Sequence, residues 1–361
     1  MWAPQVRWSG EKFNMNFDNT ALYPPVFYVP SALGILIARG AGLTVVQTLT
    51  LSRILTGAVA VAVAATAIAC AEAASVALFA VMTLPMSLAL LASGSQDALL
   101  LACSAMAAAL FARFWRRQAA PSRAEQIAAV VLLALICTSR PPYVGLALLP
   151  LTVPSVAARW RLASAAAVVL SVAAWSTLAA ISAWTSYNVT GADPSAQATL
   201  LLGHPWDIAR IALDTLQRYG SDYIHGFIGV FGWSGTRLPR SYEVAAVIVL
   251  GIAAAATMLG ERGRRIGIVP RALIAGSILL SAAAVFGIEY LTWTPPGALV
   301  VDGVQGRYFL PLALVAAAAL PALRIARLEP ARWALSLAVG LLPIVTLGVT
   351  LRSIVLRYYL G

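Results

Sequence analysis

Charge is what this sequence has least of. Only 11% of its 361 residues are charged while 60% are hydrophobic, and a mean hydropathy of +0.83 excludes an ordinary soluble domain. Cysteine is nearly absent too. Cys70, Cys103 and Cys137 sit singly in apolar runs without CxxC spacing, which supports neither a disulfide framework nor a thiolate zinc site. No GxxxxGK[ST], no GxGxxG after a strand, no DxD and no HExxH occurs, so a soluble nucleotide donor is not expected. An activated group, if one is used, would arrive from the lipid. No cofactor is implied with certainty; a divalent metal is left open. His204 and Asp207 in HPWD, and Asp222 and His225 in DYIH, have the spacing of one helical turn and are read as ordinary polar pairs rather than ligands.

What the chain does have is long apolar runs. They predict an all-α fold, a polytopic transmembrane helix bundle of about ten spans near 48–70, 74–92, 97–113, 126–139, 142–157, 162–184, 242–260, 272–291, 307–323 and 333–351. The net charge of +11 is almost entirely arginine. Spread over a surface it would suggest nucleic acid, but it is gathered in RFWRRQAAPSR (113–123), RWR (159–161), ERGRRIGIVPR (261–271) and RIARLEPAR (324–332). Such blocks between apolar spans mark cytoplasmic loops, so no nucleic acid is expected and the partner is the bilayer. With the blocks inside, Thr185–Ser241 and the C-terminus fall outside.

The organisation expected is an outer interfacial segment over 1–40, an N-terminal transmembrane bundle over 41–184, a long outer loop with an amphipathic helix over 185–241, and a C-terminal transmembrane bundle over 242–361. In the first segment Pro24, Pro25 and Pro30 disfavour a straight spanning helix and suit one lying along the interface. In the loop, HPWDIARIALDTLQRY carries the apolar spacing of a short amphipathic helix, and the glycines of FIGVFGWSGTRLP predict a tight fold. The first twenty residues show no cleavable signal pattern, so the chain is expected to begin outside.

Ionisable groups at membrane depth are costly unless paired or wet, and Arg53, Asp97, Arg140, Glu289, Asp302 and Arg307 form that list. All but Arg53 fall on the outer side by this topology. Arg307 reads either as a snorkelling interfacial residue or as a phosphate ligand, and Arg140 either as a turn residue or as a second ligand; the forked donors of arginine suit phosphate. Asp97, behind Ser93 and Ser95, reads first as a helix cap. Arg53 is expected to face the bundle interior and pair there. Tyr143, Gln305 and Tyr308 accompany the arginines as candidate substrate contacts.

The stretches NTALYPPVFYVPSALG, SGSQD, SRPPY, FIGVFGWSGTRLP and GVQGRYFLPL, in this order, resemble a bacterial family of polytopic membrane proteins of unknown function, domain-of-unknown-function family 2142. Its members look like C-type (GT-C) glycosyltransferases. The resemblance implies transfer of a sugar from a polyprenyl-phosphate carrier to a cell-envelope glycan, lipid or protein on the outer face of the bacterial cytoplasmic membrane. It implies an acidic base in the first outer loop and basic residues on the leaving phosphate. The family's first span and acidic segment are missing here, which implies a truncated chain or one that depends on another segment, and leaves Asp18 in MNFDNTALYPP as the candidate base. A transporter or flippase of lipid-linked sugars, or a non-catalytic scaffold, stays open beside the enzyme.

Overall fold

Proline and capping residues fix where the helices begin and end. The computed structural model of the chain describes residues 5–11, 22–117, 119–183, 191–232, 235–259, 266–321, 323 and 329–360. After a 3-10 turn over Pro25–Tyr28, helix α1 (Val29–Gly40) folds back against α2 (Val45–Cys70). The second helix opens on a capping box in which the Thr44 hydroxyl accepts from the Gln47 amide and the Gln47 side chain accepts from the Thr44 amide. The segments α3 (Ser75–Met82) and α4 (Pro85–Leu91) follow; with the turn at 72–74 they form a pair bent by 85°, where Pro85 cannot continue the preceding helix.

Helix α5 (Gln96–Arg116) is buried along almost its whole length and is the centre of the bundle. Helix α6 (Arg123–Ser139) starts on a second capping box, Ser122 with Glu125, and stops where Pro141 holds Arg140 in extended backbone. A 3-10 segment over Pro141–Thr152 leads to α7 (Ala158–Ala183). Beyond it lie α8 (Pro194–Gly203), α9 (Asp207–Ile228), the antiparallel hairpin β1 (Val230–Phe231) and β2 (Thr236–Arg237), α10 (Arg240–Leu259) and α11 (Ile268–Thr292). A 3-10 turn over Gly306–Phe309 opens α12 (Leu310–Ala318), and α13 (Glu329–Gly340) and α14 (Leu342–Tyr358) complete the chain.

The all-α polytopic architecture stands. Among the described residues six helices are long and apolar enough to cross a membrane, or seven if the bent pair is one span, so ten spans of that kind are not present. The expected crossings at 126–139, 142–157 and 307–323 are shorter: 17 residues in α6, 12 in the 3-10 segment and 9 in α12. Side-chain contacts nevertheless sort their ends. At one end Arg113 meets Glu125 at 3.0 Å, Trp115 donates to Thr152 at 2.7 Å, and Arg116 donates to the carbonyls of Ala318 and Leu320. At the other end Arg140 meets Asp97 at 2.8 Å, and the Tyr143 hydroxyl donates to the Tyr308 carbonyl at 2.7 Å. The short segments therefore run beside α5 from one end to the other, which a 17-residue α-helix of roughly 25 Å and a stretched 12-residue 3-10 helix of roughly 24 Å can do.

One main core joins these elements, drawing on side chains from Phe27 to Ala318. The close approach of the 3-10 segment to α11 depends on Gly145, where a Cβ would lie 2.7 Å from the Ser277 carbonyl oxygen. The outward faces of α7, α11 and α14 expose Leu170, Leu279 and Ile344, as helices bathed in hydrocarbon do.

Candidate functional site at one end of the bundle

The motif GVQGRYF owes its shape to its two glycines. Gly303 has a φ of +86°, in the left-handed region, and a Cβ there would collide with the Trp293 ring. Gly306 lies so close to α9 that a Cβ would run into the Tyr223 carbonyl and the Phe227 amide nitrogen. Backbone contact at Gly306 thus pins α9 to the start of α12. Below it Tyr223, Phe286 and Phe309 form an aromatic cluster with ring centroids 5.7 to 6.3 Å apart.

On this frame Tyr308 carries two guanidinium groups. Its ring centroid is 4.5 Å from Cζ of Arg140 and 5.7 Å from Cζ of Arg307. Its carbonyl accepts the hydrogen bond from Tyr143, which is fully buried. Arg140 is also ion-paired with Asp97, both side chains mostly buried. Asp97, Arg140, Tyr143, Arg307 and Tyr308 line one small gap. Five of the candidate residues, drawn from three separate stretches of the sequence, are therefore brought together.

The cap expected at Asp97 is corrected. Ser95 is the N-cap residue of α5, no side chain caps it, and Asp97 in the first turn turns its carboxylate to Arg140 instead. Arg53 is corrected as well: it is exposed rather than interior, and its Nε donates to the Ala92 carbonyl at 3.1 Å. It lies beside the loop before α5 and lines neither the gap nor the adjoining cavity. Asp18 lies outside the described residues.

Next to the gap is a cavity of about 330 Å³ between α9, the hairpin and residues 301–307. Gln305 and Arg307 line it, opposite Tyr219, Tyr223 and His225. Tyr219 donates to Asp302 at 2.8 Å, and this bond to a carboxylate holds the phenol proton above its ordinary range. Burial pushes the Tyr223 phenol up to about 12, and among the described residues its hydroxyl has no hydrogen-bond partner. Asp222 pairs with Arg237 at 2.9 Å and His225 with Glu243 at 2.7 Å. The two histidine motifs thus do not converge, and among the described residues no three His, Cys, Asp or Glu side chains are placed to hold a metal.

Arg307 differs from its neighbours. Its Nε is buried without a hydrogen-bond partner, and among the described residues the guanidinium has no ion pair. Among the described residues, then, no carboxylate pairs with this cationic fork at the cavity wall. Glu289 lies close by, its carboxylate against Gly303, and among the described residues it has no ion pair.

Sequence reasoning did not single out Tyr219, Tyr223 and Glu243, and it read His225 as an ordinary polar residue. Tyr219, Tyr223 and His225 line the cavity from α9, which runs nine residues past the expected Tyr219 end, to Ile228. The signal was the continued apolar spacing through Ile224 and Ile228 beyond Gly220.

No curated protein and no solved structure matches the chain. A family model described as a predicted membrane protein, DUF2142, matches residues 7–316, a range that holds every described residue of the gap and the cavity. The resemblance read from GVQGRYFLPL and its companion stretches is thereby borne out at the level of the family, and the chain belongs to the DUF2142 family of predicted membrane proteins.

Proposed function

We propose that this protein is an integral membrane glycosyltransferase-like enzyme that takes a sugar from a polyprenyl-phosphate carrier and gives it to a cell-envelope glycan, lipid or protein. The observation that carries this reading is the uncommitted Arg307 fork at the cavity wall beside Gln305. A half-buried guanidinium whose Nε is unpartnered suits an anion from outside, and its planar pair of donors matches phosphate oxygens. Arg140 plays a different part, because Asp97 already neutralises it. Its guanidinium packs on the Tyr308 ring, which Arg307 also contacts, and so positions Arg307.

In the reaction, the acceptor hydroxyl oxygen attacks the anomeric carbon as the bond from that carbon to the phosphate oxygen breaks. The hydroxyl proton passes to a carboxylate, and the bonding pair leaves with the phosphate, where Arg307 and Gln305 meet the growing charge. The base is Asp18 or Glu289. A single displacement of this kind inverts the anomeric centre. The site belongs on the outer face of the bacterial cytoplasmic membrane, because Arg113, Arg116, Arg117, Arg123 and Arg161 gather at the opposite end of the bundle.

The test is binding of polyprenyl phosphate to the purified full chain in nanodiscs. Arg307→Lys keeps the charge and loses the fork, and should weaken binding about tenfold, while Arg53→Lys should leave it unchanged. Equal affinity in wild type and Arg307→Lys would leave Arg307 as an interfacial snorkelling residue and remove the reading.

A further inference from the structure

The polar groups His225, Glu243, Arg237 and Arg240 have no part in the reaction above, and they stand between two spaces. One is the cavity of about 330 Å³ that holds Arg307. The other is a groove of about 630 Å³ between α9 and α10. His225 and Arg237 line both.

Each wall of the groove is one helical stripe. From α9 it takes Ser221, Ile224 and Ile228, about one turn apart, together with His225. From α10 it takes Arg240, Glu243, Val244, Val247 and Ile248. The stripe on α10 is graded: the charged groups Arg240 and Glu243 come in the first turn, where Glu243 is taken up by His225, and the next two turns are aliphatic. Ile224, Val244, Val247 and Ile248 are each more than half exposed, so the hollow between the helices is unfilled by protein. Arg240 is exposed, and among the described residues it has no ion pair or hydrogen bond. The His225–Glu243 contact of 2.7 Å ties the two walls together at the polar end.

We infer that this groove binds the isoprenoid chain of a lipid phosphate, with the chain along Val244, Val247 and Ile248 and the phosphate end at Arg240. A long apolar tail with one anionic end matches the gradient of the α10 stripe in both polarity and sign of charge. Arg237 and His225, shared by both spaces, lead the anionic end from the groove to Arg307. The inference rests on the glycosyl-transfer reading above and gives its carrier a binding site on a different pair of helices.

The test uses the full chain in phosphatidylcholine nanodiscs with decaprenyl phosphate bearing a photoreactive diazirine in its isoprenoid chain. Crosslinks should concentrate at Ile224, Val247 or Ile248, and Val247→Trp, which fills the groove from an exposed position, should abolish them. Unlabelled decaprenyl phosphate should compete, decaprenol should not, and Arg240→Gln should weaken binding about fivefold. Crosslinks spread evenly over all the lipid-facing helices, or equal competition by decaprenol or phosphatidylglycerol, would show ordinary boundary lipid and overturn the inference. The two readings fail separately. Groove crosslinks that persist while Arg307→Lys binds as wild type keep the groove and remove the phosphate role of Arg307; scattered crosslinks with weakened Arg307→Lys binding do the reverse.

Discussion

Asp97 and Arg140, 43 residues apart, meet at 2.8 Å with both side chains largely withdrawn from solvent. Removing one partner of such a pair strands the other charge, at a cost of about 3–5 kcal/mol. Asp97→Leu should therefore lower stability by about that amount, and the double variant Asp97→Leu with Arg140→Met should recover much of it. Thermal unfolding in detergent checks this. A double variant as unstable as the sum of the two singles would mean the pair is not coupled.

Tyr143 fastens the motif from beneath. Its hydroxyl reaches the Tyr308 carbonyl at 2.7 Å from a fully buried position. Tyr143→Phe keeps the ring and leaves that carbonyl unpaired, so a loss of about 1–3 kcal/mol is expected. Lipid-phosphate affinity should fall with it, since Tyr308 sets the place of Arg307. Unchanged affinity would separate Tyr143 from the site.

Gly306→Ala tests the contact between α9 and the motif. The added methyl meets main-chain atoms on α9, which cannot rotate away. The variant should lose protease resistance across 207–228, the α9 segment. Gly276→Ala, where a methyl meets nothing within 4 Å, should be neutral or slightly stabilising. Equal behaviour of the two would contradict the close packing at Gly306.

Alkaline pH should loosen the cavity wall. Burial raises the Tyr223 phenol from 10.0 to about 12. A group whose folded value is raised contributes stability that is complete below its unfolded value and disappears as pH climbs through the folded one. The loss should therefore fall between pH 10 and about 12 and be absent in Tyr223→Phe, read by phenolate absorbance and unfolding together.

The two ends of the bundle should lie on opposite sides of the membrane. With native cysteines replaced, single cysteines at Ser195 and Tyr359 should react with an impermeant thiol reagent on intact cells, while one at Ala119 should react only after lysis. Ser195 belongs to the site end because Gln197, two residues on, bonds to Tyr290 and Gly297. Labelling of Ala119 on intact cells would invert the topology and move the site inside.

Much of this architecture was legible in the sequence because apolar runs and arginine blocks are local signals. So was the gathering of Asp97, Arg140 and Arg307 at one end, which follows from alternating the ends of successive segments. The pairing of Asp97 was not, because a serine-rich turn before an aspartate has the same local pattern whether the carboxylate caps its own helix or reaches another. The 3-10 stretch of Pro141–Thr152 was also hidden, since hydropathy reports an apolar run but not its rise per residue. Nor could a sequence show that Gly306 touches α9. Its requirement is set by main-chain atoms 79–83 residues earlier, at Tyr223 and Phe227.

Sugar transfer itself is the most direct measurement. Purified full-length chain in nanodiscs, given polyprenyl-phosphate-linked radiolabelled hexoses and envelope acceptors, should move label from the carrier to the acceptor. Arg307→Ala should reduce that rate by at least about a hundredfold at unchanged protein stability, and either Asp18→Asn or Glu289→Gln should abolish it. Transfer at the wild-type rate in Arg307→Ala, or no transfer from any polyprenyl-phosphate donor by the intact protein, would contradict the account.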